Sequence, residues 1–274
     1  MKRLLVLLIF CLILPMSYAE TVIDHVPYVI DSPGTYVLNS DLNGGSLGSA
    51  IIINSNNVVL DGQGHKITNA YITANGGPYN KFENVTIKNI KIFNSTVSGI
   101  SLKYCKNAKL EHIVANNNSN SGILLMLCSN CQISYVTANN NKHGISLTDS
   151  NHIKLSNINV EKNNKYGIYL FCSNYNTFDG LKTSKNGKYG VCLSGSYNNT
   201  FYNWQIPEGW DNCGKINNSG YNGNIFYNSS SGNSTEGNES SSEVSSGNTI
   251  KTPIPLPAII IILSIPIIAL RKLN

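Results

Sequence analysis

Gly99-Ile100-Ser101-Leu102, Gly122-Ile123-Leu124-Leu125, Gly144-Ile145-Ser146-Leu147, Gly167-Ile168-Tyr169-Leu170 and Gly190-Val191-Cys192-Leu193 repeat one pattern: glycine, a β-branched residue, a variable residue, leucine. The glycines are separated by 23, 22, 23 and 23 residues. Three more apolar columns run in phase: Leu110, Ile133, Leu155, Phe178, Phe201; Ile113, Val136, Ile158, Leu181, Trp204; and Ala115, Ala138, Val160, Thr183, Ile206. Alternation of period two inside the tetrapeptide marks strands with one buried face. A unit of this length, full of Asn, Gly and Ser, has no room for two amphipathic helices, which excludes helical solenoids. The expected fold class is all-β: a right-handed parallel β-helix solenoid with coils of about 22–23 residues, each rising by the strand spacing of about 4.8 Å.

Working outward, Ile87, Ile90 and Ile92 precede Leu110, Ile113 and Ala115 by 23 residues each and add a coil. Ala50 to Ile53 opens another, beyond an irregular stretch near Gly76 to Lys81. Residues 20–49 are expected to cap the first coil, because a solenoid must cover its ends. The β-helix is expected over 50–227, with Trp210, Tyr221, Phe226 and Tyr227 in its closing segment. Asn107, Asn130, Asn151, Asn174 and Asn198 fall about eight residues after each glycine, where stacked amides can hydrogen-bond from coil to coil. The other turn holds Asn116 to Asn118, Asn139 to Asn141, Asn163 with Asn164, and Asn186, and reads as polar and solvated.

The ends point to export. Lys2 and Arg3 precede an apolar run from Leu4 to Leu14 and then Ser17-Tyr18-Ala19, so residues 1–19 read as a secretory signal peptide. Phe10 before Cys11 is too bulky for a lipoprotein signal. Residues 228–252 are mostly Ser, Asn, Gly and Glu, too poor in apolar side chains to repay ordering, and read as a flexible stalk. Residues 253–274 are an apolar stretch followed by Arg271 and Lys272, a C-terminal transmembrane anchor or sorting signal. The localisation expected is secreted and membrane-anchored, at the cell surface. Sequons at Asn84, Asn94, Asn117, Asn198, Asn217, Asn228, Asn233 and Asn238 make a glycoprotein pattern.

The formal charge of +5 is carried by Lys2, Arg3, Lys251, Arg271 and Lys272; between residues 20 and 250, 15 Lys balance 15 Asp plus Glu, and arginine is absent. A nucleic-acid surface wants a basic excess and arginine forks, so no nucleic-acid partner is expected.

Ser32-Pro33-Gly34-Thr35-Tyr36, Asp41-Leu42 and Asn57-Val58-Val59-Leu60-Asp61-Gly62-Gln63-Gly64-His65-Lys66-Ile67 resemble the opening of the NosD-like right-handed β-helix proteins. That family shares its repeat with pectate lyases, polygalacturonases and many prokaryotic surface proteins. The likeness covers roughly residues 30–227 and is specific for fold rather than function. In the name-giving branch it implies a role in periplasmic copper maturation.

Hydrolysis on this scaffold needs two carboxylates about 5 to 9.5 Å apart. Glu111, Asp149, Glu161 and Asp179 sit 12, 5, 17 and 12 positions after their glycines. Glu111 and Asp179 share a column but lie three coils apart, roughly 14 Å, and Asp149 and Glu161 face different sides. The lyase pattern of a basic residue beside calcium-binding carboxylates is missing as well, so no catalytic residues are assigned. Copper would need clustered soft or imidazole ligands, yet the mature chain has one methionine, Met126, and His25, His65, His112, His143 and His152 fall in different columns. No metal site and no cofactor are assigned.

Cys105 and Cys128 occupy one position on neighbouring coils, a spacing within disulfide range. They are a disulfide candidate; the alternative is a stack of reduced thiols serving as small apolar residues. The candidate ligand-binding residues are Lys142, His143, Lys165, Tyr166, Lys188 and Tyr189, a basic and aromatic pair before each of three glycines. Such rings either stack on the sugar units of an extended glycan while the lysines meet its acidic groups, or pack on one another. The leading expectation is a noncatalytic cell-surface protein contacting polysaccharide or protein; the alternatives are a polysaccharide-active lyase or hydrolase and a NosD-like copper-maturation factor.

Overall fold

The computed structural model describes residues 19–205, 223–227 and 249–250. The expected signal and anchor, nearly all of the stalk, and most of the closing segment lie outside them. Among the described residues every pairing between strands is parallel; nineteen strands stack in one ladder, and Cys105–Lys106 pairs with Phe82–Glu83 in a second, two-stranded one. The column read from the tetrapeptide runs through eight rungs: Tyr28, Ile51, Ile72, Ile100, Ile123, Ile145, Ile168 and Val191. Ile145 pairs directly with Ile168, and both are fully buried. The Leu110 column extends as expected through Ile133, Leu155, Phe178 and Phe201. Phe178 and Phe201 stack with centroids 4.4 Å apart inside the core.

Residues 20–49 do more than cover an end. Thr21–Ile23 pairs with Gly34–Leu38, and Tyr28–Ile30 pairs with Leu42–Ile53, so this segment is itself coiled into the stack. At the other end Thr249–Ile250, inside the stretch read as a stalk, forms a rung on Ile225–Tyr227. Two β-branched residues in an otherwise polar segment are enough to extend a ladder edge.

From Tyr104 to Lys185 each coil turns at four corners, each made by a single left-handed residue. Asn107, Asn130, His152, Tyr175 and Asn198 form one such column, with φ between 55° and 58°. His112, Tyr135, Asn157 and Asn203 form a second, Asn117, Asn140, Lys162 and Lys185 a third, and Tyr104, Leu127, Asp149 and Cys172 a fourth. Left-handed backbone costs an ordinary side chain of order 1 kcal/mol and asparagine less. Asparagine at twelve of the left-handed positions among the described residues therefore meets a corner requirement. Asn84, Asn94, Asn117 and Asn198, four of the sequon asparagines, are all exposed corner residues.

The amide ladder is offset from the expected column. Asn151 pairs with Ser129, one residue before the corner, and its Oδ1 accepts the Asn174 N–H at 2.7 Å. The continuous ladders lie elsewhere and are buried. Asn118, Asn141, Asn163 and Asn186 form a chain in which the carboxamide oxygens of the last three each accept the backbone N–H of the asparagine one coil earlier, at 2.8 to 3.0 Å, and that of Asn118 accepts the Ser95 N–H at 3.0 Å. Their Nδ2 groups reach the Ala115, Ala138 and Val160 carbonyls. The turn read as solvated is thus lined inside by a closed polar ladder, and Asn118, Asn141 and Asn163 are at most 3% exposed. Asn176, Asn199 and Asn224 repeat the device on another corner.

The bridge weighed for Cys105 and Cys128 is not formed: both are buried free thiols. Higher in the same column stand Ser150, Ser173 and Ser196, whose hydroxyls accept from the coil before and donate to their own coil's carbonyls. The thiols take the same place, Cys128 donating to Met126 and Leu102 carbonyls and Cys105 to Lys103 and Ala74. Hydrogen bonding to Cys128 and burial push the Cys105 and Cys131 thiols far up. Cys172 is free as well, whereas Cys192 is disulfide-bonded. Alkylation of the unreduced, denatured chain followed by peptide mapping should therefore label Cys105, Cys128, Cys131 and Cys172; an unlabelled Cys105–Cys128 pair would contradict the serine-like role.

Candidate functional site

His143–Thr148, Tyr166–Phe171 and Tyr189–Ser194 are adjacent rungs of one face. His143 pairs with Tyr166, and Tyr166 with Tyr189, so these candidate residues form one column as the glycine spacing implied. The residues before them keep step: Lys165 N–H donates to the Lys142 carbonyl at 2.9 Å, and Lys188 N–H to the Lys165 carbonyl at 2.8 Å. The result is a ridge with one lysine and one ring per coil.

The rings face each other. His143 and Tyr166 stack with centroids 5.1 Å apart and planes 22° apart, and Tyr166 and Tyr189 at 6.2 Å and 4°. Tyr169 joins from the next outward position, 5.1 Å from His143 and 5.4 Å from Tyr166. It is the outward-facing residue of the Gly-Ile-Tyr-Leu tetrapeptide. Since strands rise about 4.8 Å, rings lying flat across successive coils occupy one another's faces. Tyr166 therefore has little free face for a sugar, and what the ridge turns outward is ring edges and ammonium groups.

His143 is 8% exposed, and its Nδ1 has no hydrogen-bond partner. Burial, helped by the charges of Lys142 and Lys165, draws its pKa down to about 4, so the imidazole is neutral at physiological pH. Burial pushes the Tyr169 phenol up. The ion pairs of the described residues engage Lys66, Lys88, Lys106 and Lys109, and none engages Lys142, Lys165 or Lys188.

The acidic residues are dispersed, and Glu111, Asp179 and Asp61 are engaged by neighbours. Glu111 aligns with Ser134, Ser156 and Asp179 on four successive rungs, which places the two carboxylates three coils apart. Glu111 pairs with Lys109 at 2.6 Å, and Asp179 accepts from Asn203 Nδ2 at 2.7 Å. Asp149 is an exposed left-handed corner. Asp61 accepts from the Gln63 N–H at 2.9 Å and from Asn89 at 3.1 Å, and its other oxygen meets Lys88 at 3.1 Å. Burial raises its pKa, but those contacts outweigh it and hold the carboxyl below the usual range. Gly62 follows because a Cβ there would lie 2.5 Å from Ile90. The Asp-Gly-Gln-Gly turn is thereby accounted for as a coil corner.

The donor set does not fit copper. Among the described residues no three His, Cys, Asp or Glu side chains are grouped to hold a metal ion. His112 and His152 are stacked on Tyr135 and Tyr175 at corners, and His25 and His65 lie beside Asp24 and Asp41 on earlier coils. The soft donors Cys105, Cys128 and Cys131 are buried and directed onto main-chain carbonyls.

Comparison with solved structures finds ORF18 of Geobacillus virus E2, with a TM-score of 0.54 at 16% identity, covering 77% of this chain and 48% of that one. The enzymatically active domain of tailspike protein 2 from bacteriophage CBA120 gives a TM-score of 0.54 at 13% identity, covering 69% of this chain and 38% of that one. These likenesses show the fold, and the chain spans under half the length of either phage protein. No curated protein matches the sequence. Residues 29–238 match the family described as periplasmic copper-binding protein (NosD). With the parallel coils and the opening turn at Asp61 accounted for, that match over most of the chain places this protein in the NosD family.

Proposed function

We propose that this protein is a noncatalytic β-helix of the cell envelope that holds an acidic polysaccharide along the ridge of Lys142, Lys165 and Lys188. The observation that carries the reading is the lysine ladder, one ammonium per coil with no carboxylate partner, beside phenolic ring edges. Cations at about 4.8 Å intervals suit a linear polyanion with one charge per sugar unit. The stacked rings stiffen the ridge. Dispersed carboxylates favour holding over cleaving. The polysaccharide-active alternative would be supported by cleavage products from acidic polysaccharides. The family's periplasmic description accords with export, and the apolar tail of residues 253–274 is proposed to tether the coil stack to the membrane.

Binding of polygalacturonate to the full chain, measured by titration calorimetry, tests this. Exposed charge contacts contribute a few tenths to about 1 kcal/mol each, so replacing all three ridge lysines by alanine should weaken binding by about three- to a hundredfold. Salt should weaken the wild type in the same direction. Equal binding by wild type and triple variant would remove the ridge from the account.

A further inference from the structure

The step from Ile72 to Ile100 is 28 residues, against 22 or 23 in the coils that follow. The surplus is the excursion 76–81, whose base is fastened to the next coil. Gly76 N–H donates to the Lys103 carbonyl at 2.9 Å, and Phe82 N–H to the Tyr104 carbonyl at 3.0 Å. Gly76 is required there, since a Cβ would lie 2.7 Å from the Tyr104 carbonyl oxygen. Gly77 and Asn80 exchange backbone hydrogen bonds at 2.9 and 3.3 Å, closing the loop on itself. Its tip is Tyr79, whose side chain is fully exposed at 102%.

Beneath the loop is a cleft of about 560 Å³, within the range of small-ligand sites. Its wall is a stack of amides. Asn84 Nδ2 donates to Asn57 Oδ1 at 2.8 Å, and Asn56 Oδ1 accepts the Glu83 N–H at 2.8 Å. That leaves the Nδ2 groups of Asn56 and Asn57 as donors and Asn84 Oδ1 as an acceptor. Glu83 Oε1 takes Lys106 Nζ at 3.2 Å and keeps its second oxygen, while among the described residues Lys81 has no carboxylate partner. The cleft thus offers alternating donors and acceptors, one uncompensated cation and an unoccupied aromatic face.

We propose that this cleft binds one end of a hexuronate-containing saccharide. Each sugar hydroxyl both donates and accepts, which matches interleaved amide NH₂ and carbonyl groups. The apolar C–H face of a pyranose suits the free face of Tyr79, in contrast to the ridge, where rings cover one another. The single unpaired ammonium, Lys81, selects a carboxylate. A loop that departs from the repeat, held firmly at its base, is where a solenoid places recognition. The inference extends the acidic-glycan reading to a second site on a different part of the coil.

Trigalacturonate and maltotriose titrated into the full chain test it. Wild type should bind trigalacturonate more tightly than maltotriose. Tyr79→Ala should weaken trigalacturonate binding about tenfold, the loss of one ring contact of roughly 1.4 kcal/mol. Lys81→Ala should erase the preference for the acidic trimer. The triple alanine variant at Lys142, Lys165 and Lys188 should bind the trimer normally, so loss of trimer binding in that variant would assign it to the ridge and overturn the cleft proposal. Undiminished binding by Tyr79→Ala, or equal affinity of wild type for both trimers, would overturn it too. Absence of trimer binding alongside intact polymer binding would leave the ridge reading standing and end this one.

Discussion

Asn141→Leu is expected to destabilise the coil stack by about 4 kcal/mol, although the substitution adds apolar surface to a buried site. Asn141 Oδ1 accepts both the backbone N–H and the Nδ2 of Asn118, at 2.8 and 3.1 Å, and its own Nδ2 donates to the Ala115 carbonyl at 2.9 Å. Leucine satisfies none of these. A buried donor or acceptor left without a partner costs about 1 to 3 kcal/mol, and at least two are stranded here. The neighbouring Asn140→Gly is the contrast: that residue is exposed, its φ is 57°, and glycine adopts this backbone freely. Urea unfolding should show a large loss for the first variant and almost none for the second. Because a solenoid's stability is a sum of neighbouring interfaces, amide exchange at Asn118 should report the damage locally. Wild-type protection of that amide in Asn141→Leu would show that the ladder is not holding the turn.

This contrast also marks what the sequence made legible. Ile100 through Val191 and Leu110 through Phe201 announced themselves because an inward strand position tolerates only apolar side chains, so chemistry and register coincide. Asparagine gave no such coincidence. Asn140 and Asn141 are the same residue type in adjacent positions, one an exposed corner with left-handed backbone and the other a buried rung. Only the direction of the side chain separates them, and composition does not carry direction. The turn at Asn116 to Asn118 reads as solvated for that reason. Cys105 and Cys128 were ambiguous in a similar way. Their spacing permits a bridge, but the column above them is serine, and that column becomes visible only once Ser150 and Ser173 are aligned.

The candidate site was legible in its placement and not in its surfaces. One lysine and one ring per coil follow from the glycine spacing, and the structure pairs His143 with Tyr166 and Tyr166 with Tyr189. That the rings lie face to face depends on side-chain torsions that spacing does not fix. Tyr169 entered the cluster from a position the pattern left variable. The cleft under Tyr79 was foreshadowed only as an irregularity, because a loop that interrupts a repeat has no periodicity from which to infer its course.

Gly144→Ala should cost about 3 kcal/mol, and its origin differs from that of a usual glycine requirement. The repeat glycines Gly99, Gly122, Gly144 and Gly167 are absent from the left-handed residues, so an ordinary side chain could adopt their backbone. What forbids it is the coil above. A Cβ on Gly144 would lie 2.5 Å from the Gly167 carbonyl oxygen and 2.6 Å from Val160 Cγ1. The oxygen belongs to a backbone fixed on the next rung, so it cannot rotate away as a flexible side chain would, and relief requires the two coils to part. The same collision is 2.6 Å at Gly167 but 2.9 Å at Gly99 and Gly122, so alanine should be costlier at 144 and 167 than at 99. Gly77→Ala is the control: its nearest neighbour would be 4.0 Å away, and unfolding should be almost unchanged. A flat series across the four repeat glycines, measured by thermal or urea unfolding, would contradict the close-approach explanation. It would return these glycines to the role of conformational hinges, which their backbone angles do not support.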